Sequence, residues 1–161
     1  MAAKSAGVLL HKREHGELRV LLVHPGGPFW ARKDAGAWSI PKGEYAKGED
    51  PEAAARREFA EELGTALDGE LEPLGEAVQG GGKRVTAFAA EGDLDVAAIT
   101  SNHFEMEWPP RSGRRQTFPE VDRAGWFTLE EAGDKILAGQ RVFLDRLAAR
   151  LGLTPAPRAP G

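Results

Sequence analysis

Three carboxylates, Glu58, Glu61 and Glu62, lie three and four residues apart in the stretch Gly43–Thr65, GEYAKGEDPEAAARREFAEELGT. On a helix this spacing puts all three side chains on one face. Like charges on one face repel, so an isolated helix gains no stability from the arrangement. A hard divalent cation relieves the repulsion, because Mg²⁺ takes oxygen ligands and completes its shell with water and substrate phosphate. The spacing points to a metal–phosphate site, and its bland alternative is a solvated acidic helix face.

The stretch carries the signals of the helix that this face needs. Asp50 can cap the N-terminus and Pro51 suits the first helical position. Ala53, Ala54 and Ala55 favour the interior, and Leu63-Gly64 supplies the stop.

Gly43, Glu49, Arg57, Glu58, Glu61, Glu62 and Gly64 also fall on the fixed positions of a known motif. The stretch resembles the Nudix box, G-x5-E-x7-R-E-U-x-E-E-x-G-U, with U a bulky aliphatic residue. Phe59 is an aromatic variant at the first U. Thr65 departs from the last U, a position expected to pack behind the helix.

This resemblance implies an α+β domain with the Nudix fold, an α/β/α sandwich around a mixed β-sheet. It implies hydrolysis of a nucleoside diphosphate linked to another group, assisted by Mg²⁺ or Mn²⁺. Glu58, Glu61 and Glu62 would hold metal together with the Gly43 carbonyl. Arg57 is expected to be structural, pairing with Glu49 to hold the loop against the helix. Many family members place another metal-binding or basic glutamate several residues before a tryptophan of the closing strand. Ala124-Gly125-Trp126-Phe127 resembles that strand, and Glu120 fits the placement. Glu120 therefore joins the expected metal set, and Glu58, Glu61 and Glu120 form the expected catalytic set. Both Glu58 and Glu120 are open as general base.

The residues before the box, Trp38-Ser-Ile-Pro-Lys-Gly43, resemble the form found in diadenosine and diphosphoinositol polyphosphate hydrolases. Lys42 sits where an ammonium could meet phosphate. The resemblance favours a dinucleoside polyphosphate. A nucleoside triphosphate or oxidised nucleotide, cleaved to the monophosphate, is the alternative. A nucleotide-sensing module that does not cut is a reading of another class.

Several segments frame the box. Ala6–Leu10 and Leu18–Val23 read as strands around a turn at Glu14–Glu17. His11 and His15 straddle that turn and read as surface or strand-edge residues. The loop 24–37 holds two prolines in its first five residues and carries Phe29, Trp30, Arg32 and Lys33. Its aromatics, Trp30 among them, could stack on a base with Arg32 or Lys33 on phosphate, or could anchor a lid to the core. Trp38-Ser39-Ile40 reads as a short strand that delivers Pro41-Lys42-Gly43.

After the box, 71–78 and 84–90 read as a hairpin around Gln79–Lys83. Glu91–Thr100 reads as a loop. His103–Trp108 alternates, with Phe104, Met106 and Trp108 opposite Glu105 and Glu107. Those two glutamates are an exposed face or lie near the metals. The basic turn 109–117, with Arg111, Arg114 and Arg115, is a polyphosphate contact or a solvated hairpin tip. Thr128 and Glu131 form a capping box for one helix, and 140–151 reads as a last amphipathic helix.

The chain of 161 residues suits a single domain, here 1–152, with 153–161 as a Pro/Ala-rich tail. A net charge of −4 argues against a protein that coats a nucleic-acid polymer, so a small nucleotide is the expected partner. With no cysteine there is neither a disulfide framework nor thiol chemistry, which fits a cytoplasmic location. No apolar run approaches membrane-spanning length, and none reads as a signal-peptide core. A homodimer is open, since many members of the family pair.

Overall fold

The computed structural model describes residues 4–153, so all of the expected tail at 153–161 except Leu153 lies outside the described residues. The chain opens with two long antiparallel strands, β1 (Lys4–Glu14) and β2 (Glu17–Pro25), and a short β3 (Lys42–Glu44). Helix α1 (Pro51–Leu63) follows, then β4 (Glu72–Val78) and β5 (Arg84–Glu91). Next come β6 (His103–Glu107), β7 (Arg115–Pro119) and β8 (Val121–Thr128). The order closes with α2 (Leu129–Lys135) and α3 (Arg141–Arg150).

The main sheet has the order β4-β5-β1-β2-β8, and β3 pairs with the start of β1. Only β1 and β5 run parallel, so the sheet is mixed. The second sheet is the β6–β7 hairpin, which stands off the main one.

The strands sort their side chains by alternation. Ala6, Val8 and Leu10 of β1, with Leu21 and Val23 of β2, face α1 through Ala54, Ala55, Phe59 and Leu63. Leu9, Val20, Leu22, Val85, Ala87 and Ala89 face the other way, onto Phe143, Leu144 and Leu147 of α3. A strand buried on both faces reads as a continuous apolar run, as 6–10 does. Helices therefore cover both faces of the sheet, the expected three-layer sandwich. Among the described residues no helix is long and apolar enough to cross a membrane.

Phe143 is fully buried at the centre of the second layer. Phe143→Ala is expected to cost about 3–5 kcal/mol through lost transfer energy and the cavity left behind. Urea denaturation reads this as a lower midpoint at unchanged slope.

Helix α1 forms as its sequence dictates. Asp50 accepts from the Ala53 amide at 3.0 Å, Pro51 opens the first turn, and the Gly64 amide donates to the Ala60 carbonyl at 2.8 Å. In α2 the Thr128–Glu131 capping box is complete.

Four expectations need correction. His11 is buried within β1 rather than at a surface, because alternation turns it toward the α3 layer. Residues 38–40 make only isolated bridges, Val23 with Ser39 and Trp38 with Ile136, and the paired strand starts at Lys42. Strand β2 continues through His24 to Pro25, the first two residues of the expected loop. Thr65 is exposed, so the departure from the motif leaves no gap behind the helix.

Candidate active site

Three elements meet at one end of the sheet. Helix α1 supplies Glu58, Glu61 and Glu62, β3 supplies Lys42 and Gly43, and the junction of β7 and β8 supplies Glu120. Their closeness is built into the backbone. A Cβ on Gly43 would stand 2.0 Å from Glu58 Oε2, so only glycine lets the carboxylate rest against β3.

Arg57 binds the acidic cluster together. Its Nε donates to Glu49 Oε2 at 3.2 Å and its Nη2 to Glu49 Oε1 at 3.3 Å. Its Nη1 donates to Glu58 at 2.7 Å and reaches Glu61 at 3.5 Å. Glu49 also accepts from the Ala46 amide at 3.3 Å, which closes the loop before α1. The Arg57–Glu49 pair thus ties that loop to the helix.

Glu62 is the most perturbed group. Burial, reinforced by the charge of Glu58, raises its pKa to about 8, against the opposing pull of Lys42. Burial and the neighbouring Glu61 charge likewise raise Glu58, and Arg57 opposes them. Lys42 is pushed the other way: burial lowers its pKa, and the Glu62 charge holds it back. Glu120 adds to the negative potential at both Glu58 and Glu62, which places it with the helix carboxylates.

The fit to a cation follows from one atom. Glu62 Oε2 is buried with no hydrogen-bond partner. A buried acceptor left unmatched costs free energy, and a metal ion would supply its partner. The expected set Gly43, Glu58, Glu61, Glu62 and Glu120 gathers here without converging on one point. Among the described residues no three acidic or histidine side chains are arranged around a common centre. The Arg57 guanidinium engages two of the carboxylates, Glu58 and Glu61.

A cleft of about 250 Å³ opens beside these groups, lined by Lys42, Glu62, Glu120, Trp30, Gln79 and Ser39 among others. A second compartment of about 420 Å³ adjoins it, lined by Phe29, Trp30, Phe104, Met106 and Glu120 among others. Trp30 and Glu120 belong to both walls. The first compartment sets Lys42, Glu62 and Glu120 among apolar residues such as Val23, Ile40 and Leu137, and the second groups Phe29, Trp30 and Phe104 with Met106. Phe29 is 62% exposed and meets Trp108 edge-on at 5.5 Å.

Other expectations fall differently. Arg32 is exposed and lines neither compartment, because the loop turns it to solvent, whereas Lys33 lies over the Trp30 ring at 5.2 Å. Glu107 accepts from the Arg111 amide at 2.8 Å within the β6–β7 turn, and Glu105 faces solvent on the same hairpin. Arg111, Arg114 and Arg115 sit on that exposed tip.

Some site residues carried no sequence signal. Gln140 is fully buried; its Oε1 accepts from the Ile40 amide, and its Nε2 donates to Ser39 Oγ and Gln79 Oε1, all at 3.0 Å. It joins the approach to β3 with the β4–β5 turn. Phe104 and Met106 were visible as the apolar face of an alternating strand. Nothing in the alternation said that this face lines a cleft instead of a core.

Residues 1–147 match the NUDIX domain, and the chain belongs to the Nudix family. It is similar to an RNA pyrophosphohydrolase of Caulobacter vibrioides, 42% identical over 59 residues that make up 34% of each chain. The match thus spans about a third of the length of that relative. In fold it is similar to a C. elegans Ap4A hydrolase in a binary complex, with TM-score 0.66 and 22% identity over 94% of this chain and 98% of that one. The NUDIX domain of Shewanella oneidensis NrtR, complexed with ADP ribose, gives TM-score 0.64 and 18% identity over 94% and 89% of the two chains. A Nudix hydrolase of M. smegmatis, RenU, gives 0.60 and 22% over 98% and 90%.

Proposed function

We propose that the protein is a metal-dependent pyrophosphohydrolase that cleaves a phosphoanhydride bond in a nucleoside diphosphate derivative, with a dinucleoside polyphosphate as the favoured substrate. The observation that carries this reading is the pair of compartments that share Trp30 and Glu120, one bearing Lys42 and Glu62 and the other Phe29 and Phe104. A polyphosphate suits the first and a base the second.

Glu58, Glu61 and Glu62, with the Gly43 carbonyl and Glu120, would hold Mg²⁺ or Mn²⁺. Such an ion supplies charge neutralisation at the phosphates and a more acidic water. The Lys42 ammonium faces the phosphate chain. Trp30 stacks on a base and keeps water from the first compartment. The Glu120 carboxylate takes the proton of the attacking water as its oxygen bonds to phosphorus and the bridging P–O bond breaks. Glu120 suits this step better than Glu58, whose carboxylate Arg57 already engages at 2.7 Å. Arg57 and Glu49 hold the loop and helix in register.

The likeness to an RNA pyrophosphohydrolase favours a second reading, a nucleoside triphosphate or the triphosphorylated end of an RNA. A substrate panel with Mg²⁺ and then Mn²⁺ decides between them. It holds diadenosine polyphosphates, nucleoside triphosphates, an oxidised deoxyguanosine triphosphate, ADP-ribose and a 5′-triphosphorylated oligonucleotide. ATP plus AMP from diadenosine tetraphosphate, at a higher kcat/KM than any other compound, is the expected result. Preference for a triphosphate selects the second reading. Tight binding without turnover would mean a sensor.

A further inference from the structure

His24 lies at the end of β2, fully buried, and none of the roles above uses it. Its ring reaches in two directions. Nε2 donates to the Lys33 carbonyl at 2.6 Å, and Nδ1 meets Asp122 Oδ1 at 2.8 Å. The two bonds use both ring nitrogens, so the ring is held at both ends. The edge of Trp38 packs against the ring at 5.2 Å, and Arg123 lies over Trp38 and pairs with Asp122 at 3.8 Å.

The first bond joins residue 24 to residue 33, so it closes the neck of the segment that bears Phe29 and Trp30. The second joins that neck to β8, two residues beyond Glu120. Between the two, the strand pairing shifts: His24 faces Arg123, but Pro25 faces Val121. Asp122 is the extra residue of this bulge, and bulges re-aim nearby side chains. Just beyond it the Gly26 amide donates to the Glu120 carbonyl at 2.9 Å. The contact is so close that a Cβ on Gly26 would stand 1.9 Å from the Pro119 carbonyl oxygen.

We propose that His24 and Asp122 are positioning residues that set the Trp30 wall of the cleft against the Glu120 wall. Neither touches the reacting atoms. The proposal rests on the reading of Glu120 as the base, and its structural half can be judged without turnover.

The two bonds can be cut separately. In His24→Asn the amide nitrogen replaces Nδ1 and keeps Asp122, while the neck bond is lost. In His24→Gln the amide nitrogen replaces Nε2 and keeps the neck, while Asp122 is lost. Asp122→Ala cuts the second bond at a residue one-third exposed, where folding is least at risk. Amide exchange by NMR is the first readout. Asp122→Ala should speed exchange at Gly26 roughly tenfold or more, with Val20 and Leu22 unchanged. Kinetics on the best substrate of the panel is the second readout. Asp122→Ala and His24→Gln should lower kcat roughly 10- to 100-fold with little change in KM. His24→Asn should instead raise KM roughly tenfold with kcat largely kept, the mark of lost binding alone.

Unchanged exchange at Gly26 in Asp122→Ala overturns the proposal. So does faster exchange with an undiminished kcat. Equal losses in the Asn and Gln variants would reduce His24 to a packing residue. If the unaltered protein turns over nothing in the panel, the functional reading fails, and exchange still judges the tether.

Discussion

Glu120→Gln is expected to lower kcat by about 10²–10⁴-fold, the range for losing a general base. The change keeps shape and removes the carboxylate that takes the proton and would help to hold the metal. Glu120 is exposed and lies at a strand junction, so the fold should not suffer. Its carboxylate lines both compartments and adds to the potential at Glu58 and Glu62. Steady-state kinetics should show the loss in kcat, with KM held within a few-fold and an unchanged thermal midpoint. Glu58→Gln run beside it separates the two candidates. A near-normal kcat in Glu120→Gln with a collapse in Glu58→Gln would move the base to the helix.

The second large effect concerns the metal. The unaltered protein should gain about 2.7 kcal/mol of stability when Mg²⁺ or Mn²⁺ exceeds its Kd a hundredfold, and a chelator should remove the gain. Glu62→Gln should abolish it. The argument is the partnerless Glu62 Oε2, a buried carboxylate oxygen for which the protein provides no donor. The substitution takes away a carboxylate oxygen that a cation at the base of the cleft could use. Melting curves of both proteins, with metal and with chelator, test this without any substrate. An equal metal response in the two would show that the ion binds elsewhere. Turnover of Glu62→Gln should fall along with the metal response.

The acidic helix face was legible because its constraints are local. Glu58, Glu61 and Glu62 are placed by helical spacing, the cap at Asp50 fixes where the helix starts, and Arg57 reaches Glu49 across one loop. Each depends on residues within fifteen positions. Both layers of the sandwich were legible for the same reason, in the continuous apolar run of β1 and the stripe of α3. What escaped depends on contacts far apart in the chain. Gln140 meets Ile40 across 100 residues and Gln79 across 61, and no periodicity announces a buried amide. His24 meets Asp122 across 98 residues. Arg32 lies outside both compartments, because loop composition gives the residues of a loop and not the direction in which each points. His11 was misjudged because a histidine near a turn reads as exposed until the strand register is known.

The sheet places its one parallel pair, β1 with β5, at its centre, and its far edge is closed by β8. Parallel pairing needs a long crossover, and here the crossover contains β2, the aromatic loop, β3 and α1. Trp30, Lys42 and Glu62 are thus borne by this crossover, and Glu120 adjoins β8, whose pairing with β2 is also non-local. Such closures are entropically costly and come slowly in a folding chain. A collapsed chain with α1 already formed would hold the helix carboxylates but lack Glu120 and the Trp30 wall. The cleft is therefore complete only once β8 has paired with β2.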